Sequence, residues 1–294
     1  MRYEGDIYRP PPEADAYILQ CTIGCSYNKC TYCSMYKDVR YRVRPIEDLK
    51  EDIRMAKAAF GNKVEKVFLS DGDAISLPTE MLLEILSELY TAFPKLTHVS
   101  TYAGPQSTLD KTLDEFKQLK AAGLSMTYLG VESGSDEVLK AVRKGVNSAE
   151  MLAAGQNIVE AGIKLVAMVM IGLGGSPELS KRHALETAQL INQMNPYLLG
   201  LLTTVPMEGT ALFRQVTKGD FKLLDPYEVL EEIKQLLETL TNDDLLIDST
   251  HGSNLLPIKG KLSEVKADTI SHINHHLSKK DNNLIGKAYV VGRF

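Results

Sequence analysis

Residues 64–93 read VEKVFLSDGDAISLPTEMLLEILSELYTAF, and this stretch decides the fold. VEKVFLS (64–70) is a short apolar run with strand character. LSDGDAISLP (69–78) is rich in turn formers. PTEMLLEILSELYTAF (78–93) then places apolar residues at helical spacing, with Thr79 as the expected N-cap. Together they make one strand–turn–helix unit.

The same unit recurs in both directions along the chain. THVSTYA (97–103) reads as a strand, followed by TLDEFKQLKAAG (112–123), a helix closed by Gly123. SMTYLGVES (125–133) is the next strand. NSAEMLAAGQNIVEAG (147–162) is a helix in which Asn147 and Glu150 are placed as a capping box and Gly162 ends the run. IKLVAMVMIGLGG (163–175) is a strand entering a glycine turn. SKRHALETAQLINQM (180–194) is a helix and YLLGLLTTV (197–205) a strand, while DAYILQCT (15–22) supplies the first strand upstream. Strand starts recur at roughly the length of one βα unit. The strands are apolar on both faces, as parallel strands covered by helices are. Six such units between residues 15 and 205 fit a partial (β/α)6 barrel better than a doubly wound sheet, which places the active site at the C-terminal strand ends.

The remainder is less regular. Residues 1–14 read as an N-terminal extension, 15–205 as the core, and 206–294 as a C-terminal extension packed on the core. Within the last, DPYEVLEEIKQLLETL (225–240) has helical spacing, STHGSNLLPIKGKL (249–262) reads as a loop, and SEVKADTISHINHHLSKK (263–280) as a final helix. No stretch rich in Gly, Pro or Ser marks a linker to a second domain. The chain has 294 residues, 44% hydrophobic and 24% charged, with a formal net charge of −5. That balance is ordinary for a globular protein and argues against a polyanionic partner. The basic stretch YKDVRYRVRP (36–45) reads as a solvated strand or loop face. No apolar run reaches the roughly 18–20 residues of a membrane span. The first residues lack the apolar core of a signal peptide, so a cytoplasmic location is expected.

The four cysteines of the chain all lie in QCTIGCSYNKCTYCSMY (20–36), spaced Cys21-x3-Cys25-x4-Cys30-x2-Cys33. In a reducing compartment such a cluster reads as metal-binding or redox-active rather than disulfide-forming. The residues themselves leave three readings: a zinc site, a four-cysteine iron–sulfur site, or a three-cysteine [4Fe–4S] site with one iron open to a small ligand. Zinc favours two paired knuckles, and only one two-residue gap is present here.

The loop resembles the cluster loop of the radical S-adenosylmethionine (radical SAM) superfamily. There the common spacing is C-x3-C-x2-C with an aromatic residue before the last cysteine. Cys30-Thr31-Tyr32-Cys33 matches the second half, and the first gap is one residue longer. The resemblance implies Cys25, Cys30 and Cys33 as the cluster ligands, with Tyr32 beside them, and leaves Cys21 as a small buried hydrophobe. It extends to three strand ends. LSDGDAISLP (69–78) stands where the family binds the methionine amino group, implicating Gly72 and Asp73. YLGVESGSDEVLKAVRKG (128–145) is similar to the oxygen-independent coproporphyrinogen oxidase and tRNA methylthiotransferase branches and implicates Glu132 in binding the ribose or methionine part. MVMIGLGG (168–175) is similar to the segment beside the adenine and implicates Gly172 and Gly174, with Gly175.

The implied cofactors are a [4Fe–4S] cluster and S-adenosylmethionine. The implied reaction is reductive cleavage to a 5′-deoxyadenosyl radical that abstracts hydrogen, an oxidoreductase chemistry fed by an external one-electron donor such as flavodoxin or ferredoxin. A small molecule is the expected substrate, nucleic acid is not, and no membrane is involved. Arg143, Lys144 and Arg182 are candidates to pair with the ligand carboxylate, Arg182 foremost, and each also reads as a surface charge. His183 and His251 read as structural or proton-carrying, and His272, His275 and His276 as solvent-facing.

Overall fold

The computed structural model describes residues 2–279, so the last residue of the expected final helix and the end of the expected C-terminal extension lie outside the described residues. The chain begins with β1 (Tyr17–Gln20), β2 (Thr22–Ile23), β3 (Arg42–Val43), α1 (Ile46–Phe60), β4 (Lys66–Ser70) and α2 (Thr79–Ala92). It continues through β5 (His98–Ala103), α3 (Pro105–Leu109), α4 (Leu113–Ala121), β6 (Leu124–Glu132), α5 (Asp136–Ala141), α6 (Ser148–Glu160) and β7 (Lys164–Ile171). It closes with α7 (Pro177–Met194), β8 (Leu198–Thr203), α8 (Ala211–Lys218), α9 (Pro226–Thr239), β9 (Leu246–Asp248), β10 (Lys259–Lys261) and α10 (Leu262–Lys279). Contacts divide it into two compact units. One holds the residues up to Asn28, 35–129 and 154–165; the other holds 29–34, 130–153 and 166 onward.

In the first unit β1, β4, β5 and the start of β6 pair in parallel, from Tyr17 opposite Val67 to Thr101 opposite Thr127. Val67, Phe68 and Leu69 are wholly buried, as apolar strands covered on both faces must be. Phe68, Tyr102 and Tyr128 stack edge to face, with centroids 5.0 Å and 6.1 Å apart along the row. Glu13, from a single 3-10 turn over Pro11–Glu13, is buried beneath them. Its carboxylate accepts from the Tyr128 hydroxyl (2.8 Å) and lies 3.0 Å from His98 Nε2. β2 and β3 form a small antiparallel ladder, after which Arg44 turns inward to donate to the Gln20 carbonyl (2.8 Å) and pair with buried Asp52 (2.7 Å). The basic stretch is therefore exposed at β3 and buried at Arg44.

In the second unit β7 pairs in parallel with β8, and β8 with β9, while β10 returns antiparallel to β9. Helices α7 and α9 pack together, and α10 packs on α9. The parallel α/β class read from the sequence rhythm is borne out by these pairings.

Details differ where tertiary partners outcompete local pattern. Pro78, not Thr79, occupies the α2 N-cap, and the Thr79 hydroxyl instead donates to Glu115 at 2.6 Å. Helix α7 begins three residues earlier than read, at Pro177, because Ser176 caps it by accepting from the Leu179 N–H. Helices α1, α3, α5 and α8 lie in stretches to which the rhythm assigned nothing. The Asn147–Glu150 capping box is present, with reciprocal bonds of 2.8 Å and 2.9 Å.

Candidate functional site

The four cysteines lie in two kinds of surroundings. Cys21 is wholly buried, donates to the Leu19 carbonyl at 3.4 Å, and has its thiol pKa pushed well up by burial. Cys25, Cys30 and Cys33 are partly exposed. Residues 29–34 are held within the second unit by backbone bonds at Thr31, whose N–H donates to the Val142 carbonyl (3.0 Å) and whose carbonyl accepts from the Leu212 N–H (2.9 Å). Tyr32 packs on Val138, Val142 and Leu173, and burial raises its hydroxyl pKa, reinforced by the Glu132 carboxylate. Among the described residues, no three Cys, His, Asp or Glu side chains are gathered as a metal site, Cys25 belonging to the first unit and Cys30 and Cys33 to the second.

The turn after β4 is compact. Asp71 accepts from the Tyr36 hydroxyl (2.6 Å), the Gly24 N–H (3.1 Å) and the Gln20 amide (3.3 Å). Burial raises its pKa, and these donors only partly offset the rise. Gly72 donates its N–H to the Gly24 carbonyl at 3.2 Å, and a side chain there would meet the Tyr36 ring at 2.6 Å and Cys25 Cβ at 3.0 Å. Glycine is thus the residue that lets this turn lie against Cys25. Asp73 is buried and accepts from the hydroxyls of Ser26 and Ser107 and, at 2.8 Å, from the Gly104 N–H. It ties the residue after Cys25 to the end of β5.

At the end of β6, Glu132 has φ +64°, an uncommon conformation for a non-glycine residue. Its carboxylate pairs with the Lys144 ammonium at 3.0 Å, and Lys144 also donates to the Tyr32 hydroxyl at 3.3 Å. Both charges are buried. Lys144, one of the cations named from the sequence, therefore lies beside Glu132. Arg182 pairs with Glu137 on an exposed face of α7.

The turn after β7 is shaped by glycine: a Cβ on Gly174 would fall 2.9 Å from the Ser180 backbone N. Gly172 donates its N–H to Glu232 Oε1 at 2.7 Å. Glu232 comes from α9, within the stretch read as helical but carrying no feature of the resembled family, and also accepts from the Ser180 hydroxyl. Its pKa is raised by burial, with His183, Ser180 and Gly172 acting the other way. His183 is buried and bonded to Ser133, so it is structural rather than solvent-facing. Only an acid amid the apolar positions of an amphipathic helix could have flagged Glu232 beforehand. His272, His275 and His276 do lie on the exposed side of α10, where His272 and His276 stack.

The family model described as the Radical SAM superfamily matches residues 19–191, more than half the chain, and the chain belongs to that superfamily. It is accordingly a radical SAM enzyme, of a family that binds a [4Fe–4S] cluster and S-adenosylmethionine. It is 23% identical over 229 residues to an uncharacterised protein of Methanocaldococcus jannaschii, covering 74% of this chain and 70% of that one. It is 25% identical to the tRNA-2-methylthio-N(6)-dimethylallyladenosine synthase of Thermotoga petrophila over 70% of this chain and 45% of the relative, and so spans less than half of that protein. Among solved structures, coproporphyrinogen III oxidase (HemN) of Escherichia coli superimposes with a TM-score of 0.56 at 15% identity, over 76% of this chain and 51% of the other. That likeness shows a shared fold, the partial (β/α)6 barrel of the radical SAM type. Among the described residues, no helix is long and apolar enough to cross a membrane.

Proposed function

We propose that Cys25, Cys30 and Cys33 would hold a [4Fe–4S] cluster and that S-adenosylmethionine would bind beside it. The observation that carries this reading is the split among the thiols: Cys21 is sequestered and three others are accessible. When bound and reduced, such a cluster would supply the one-electron chemistry for cleaving S-adenosylmethionine to methionine and a 5′-deoxyadenosyl radical, which would abstract hydrogen from the substrate. The chain's own residues bind and orient. Gly72 brings the turn after β4 against Cys25, and Asp73 holds that turn through Ser26. Glu132, presented at positive φ and neutralised by Lys144, takes the ribose or methionine end of the ligand, with Tyr32 alongside. Gly172 and Gly174 give a backbone surface for the adenine. Arg182 reaches a carboxylate only by leaving Glu137.

The substrate on this reading is a small molecule in the cytoplasm, and the electron comes from a flavodoxin or ferredoxin. The net charge of −5 gives no electrostatic footing for a tRNA. Residues 15–205 serve as the core and the residues from 206 onward as an extension packed on it. The alternative, a non-enzymatic four-cysteine iron–sulfur or zinc protein, would require the buried Cys21 thiol as a ligand.

The test is anaerobic reconstitution with iron and sulfide, then reduction with S-adenosylmethionine present. Release of 5′-deoxyadenosine is expected. A reducible cluster that releases none would rule the reading out.

A further inference from the structure

One hydrogen-bonded chain runs through the interior of the second unit and ends on two turns. Glu232, with no side-chain exposure, lies beyond residue 191, where the family match stops. Its Oε1 accepts from the Gly172 N–H at 2.7 Å and lies 3.5 Å from His183 Nε2, and its Oε2 accepts from the Ser180 hydroxyl. His183 Nε2 is also 3.1 Å from the Met170 carbonyl. Facing two acceptors, Nε2 serves as a donor. Nδ1 lies 2.8 Å from Ser133 Oγ and 3.3 Å from Thr187 Oγ1. Ser133 Oγ in turn accepts from the Ser135 N–H (2.9 Å), and Thr187 Oγ1 from the Gly134 N–H (2.8 Å). Through this chain α9 grips both the turn after β7 and the turn after β6.

A carboxylate in such a place carries a large desolvation cost, and an apolar side chain would pack without it. What the carboxylate adds is direction: it fixes the plane of the Gly172 peptide and, through His183, the residues that follow Glu132.

We infer that Glu232 is a positioning residue for S-adenosylmethionine binding, so that α9 acts on the cofactor site through the two turns it holds. This rests on the assignment of Glu132 and Gly172 proposed above. Two measurements test it on the full chain, in wild type, Glu232→Ala and Glu232→Gln. The first is hydrogen exchange of the cluster-free protein over peptides covering 131–135 and 170–175. The second is the S-adenosylmethionine dissociation constant of the reconstituted protein, by equilibrium dialysis. Glu232→Ala should speed exchange in both peptides and weaken binding about tenfold or more, the scale of one oriented hydrogen bond to a charged group, with iron content unchanged. Glu232→Gln keeps an acceptor for the Gly172 N–H and should recover most of the affinity. Faster exchange with unchanged affinity overturns the inference, as does exchange accelerated evenly across the whole unit, or equal loss of affinity in both variants. A wild-type protein that fails to bind S-adenosylmethionine overturns the site assignment itself, a result distinguishable because it appears before any variant is compared.

Discussion

Cys21 and Cys25 stand four positions apart in opposite surroundings, one sealed in the core with a raised thiol pKa and the other partly open. Cys21→Ala should therefore reconstitute with the iron and sulfide content of wild type, whereas Cys25→Ala, Cys30→Ala or Cys33→Ala should fall well short in the same colorimetric assays. The buried-hydrophobe reading of Cys21 was legible because the other three suffice for the loop pattern. The place of Lys144 was not. It read foremost as a surface charge, since nothing local announces that Glu132, twelve positions earlier, folds back to meet it. Lys144→Met leaves a buried carboxylate alone and should cost roughly 3 kcal/mol in urea unfolding of the cluster-free chain, much of it regained in Lys144→Met/Glu132→Gln.

Helix α4 shows what an element makes of its ends. The Thr112–Glu115 capping box is closed by both bonds, and Thr79 of α2 adds a third donor to the same carboxylate. These bonds, from Thr79 first and then Thr112, hold the Glu115 pKa down to about 2. A depressed carboxylate stabilises the folded state above its ordinary value of 4.5 and loses that contribution as pH falls toward about 2. Glu115→Gln should thus melt below wild type at neutral pH, with the gap closing across that window, as read by circular dichroism. Thr112→Ala should cost about 1 kcal/mol by the same measurement. The rhythm of strands and helices was legible because apolar spacing encodes it. The α2 cap was misread for a tertiary reason: the Thr79 hydroxyl is spent on another helix. Helix α1 escaped notice because the β2–β3 ladder interrupts the repeat just before it.

At the scale of the whole molecule, the tail beyond residue 205 supplies Glu232 to Gly172 and the Leu212 N–H to Thr31. A chain ended at 205 should leave those groups unsatisfied and bare apolar surface on α7. It should accumulate as insoluble or dye-binding protein, whereas the full chain stays soluble in the same expression trial. That the tail packs on the core was expected from its residues, but which groups it meets was not legible, because its partners are set by strand ends far away in sequence.

The two stitches at Thr31 are main-chain hydrogen bonds, to Val142 and from Leu212, and use no cysteine side chain. The course of residues 29–34 is thus set by the backbone, whichever side chains stand at 30 and 33. Amide exchange at Thr31 should therefore be as slow in Cys30→Ala/Cys33→Ala as in wild type, both prepared without iron.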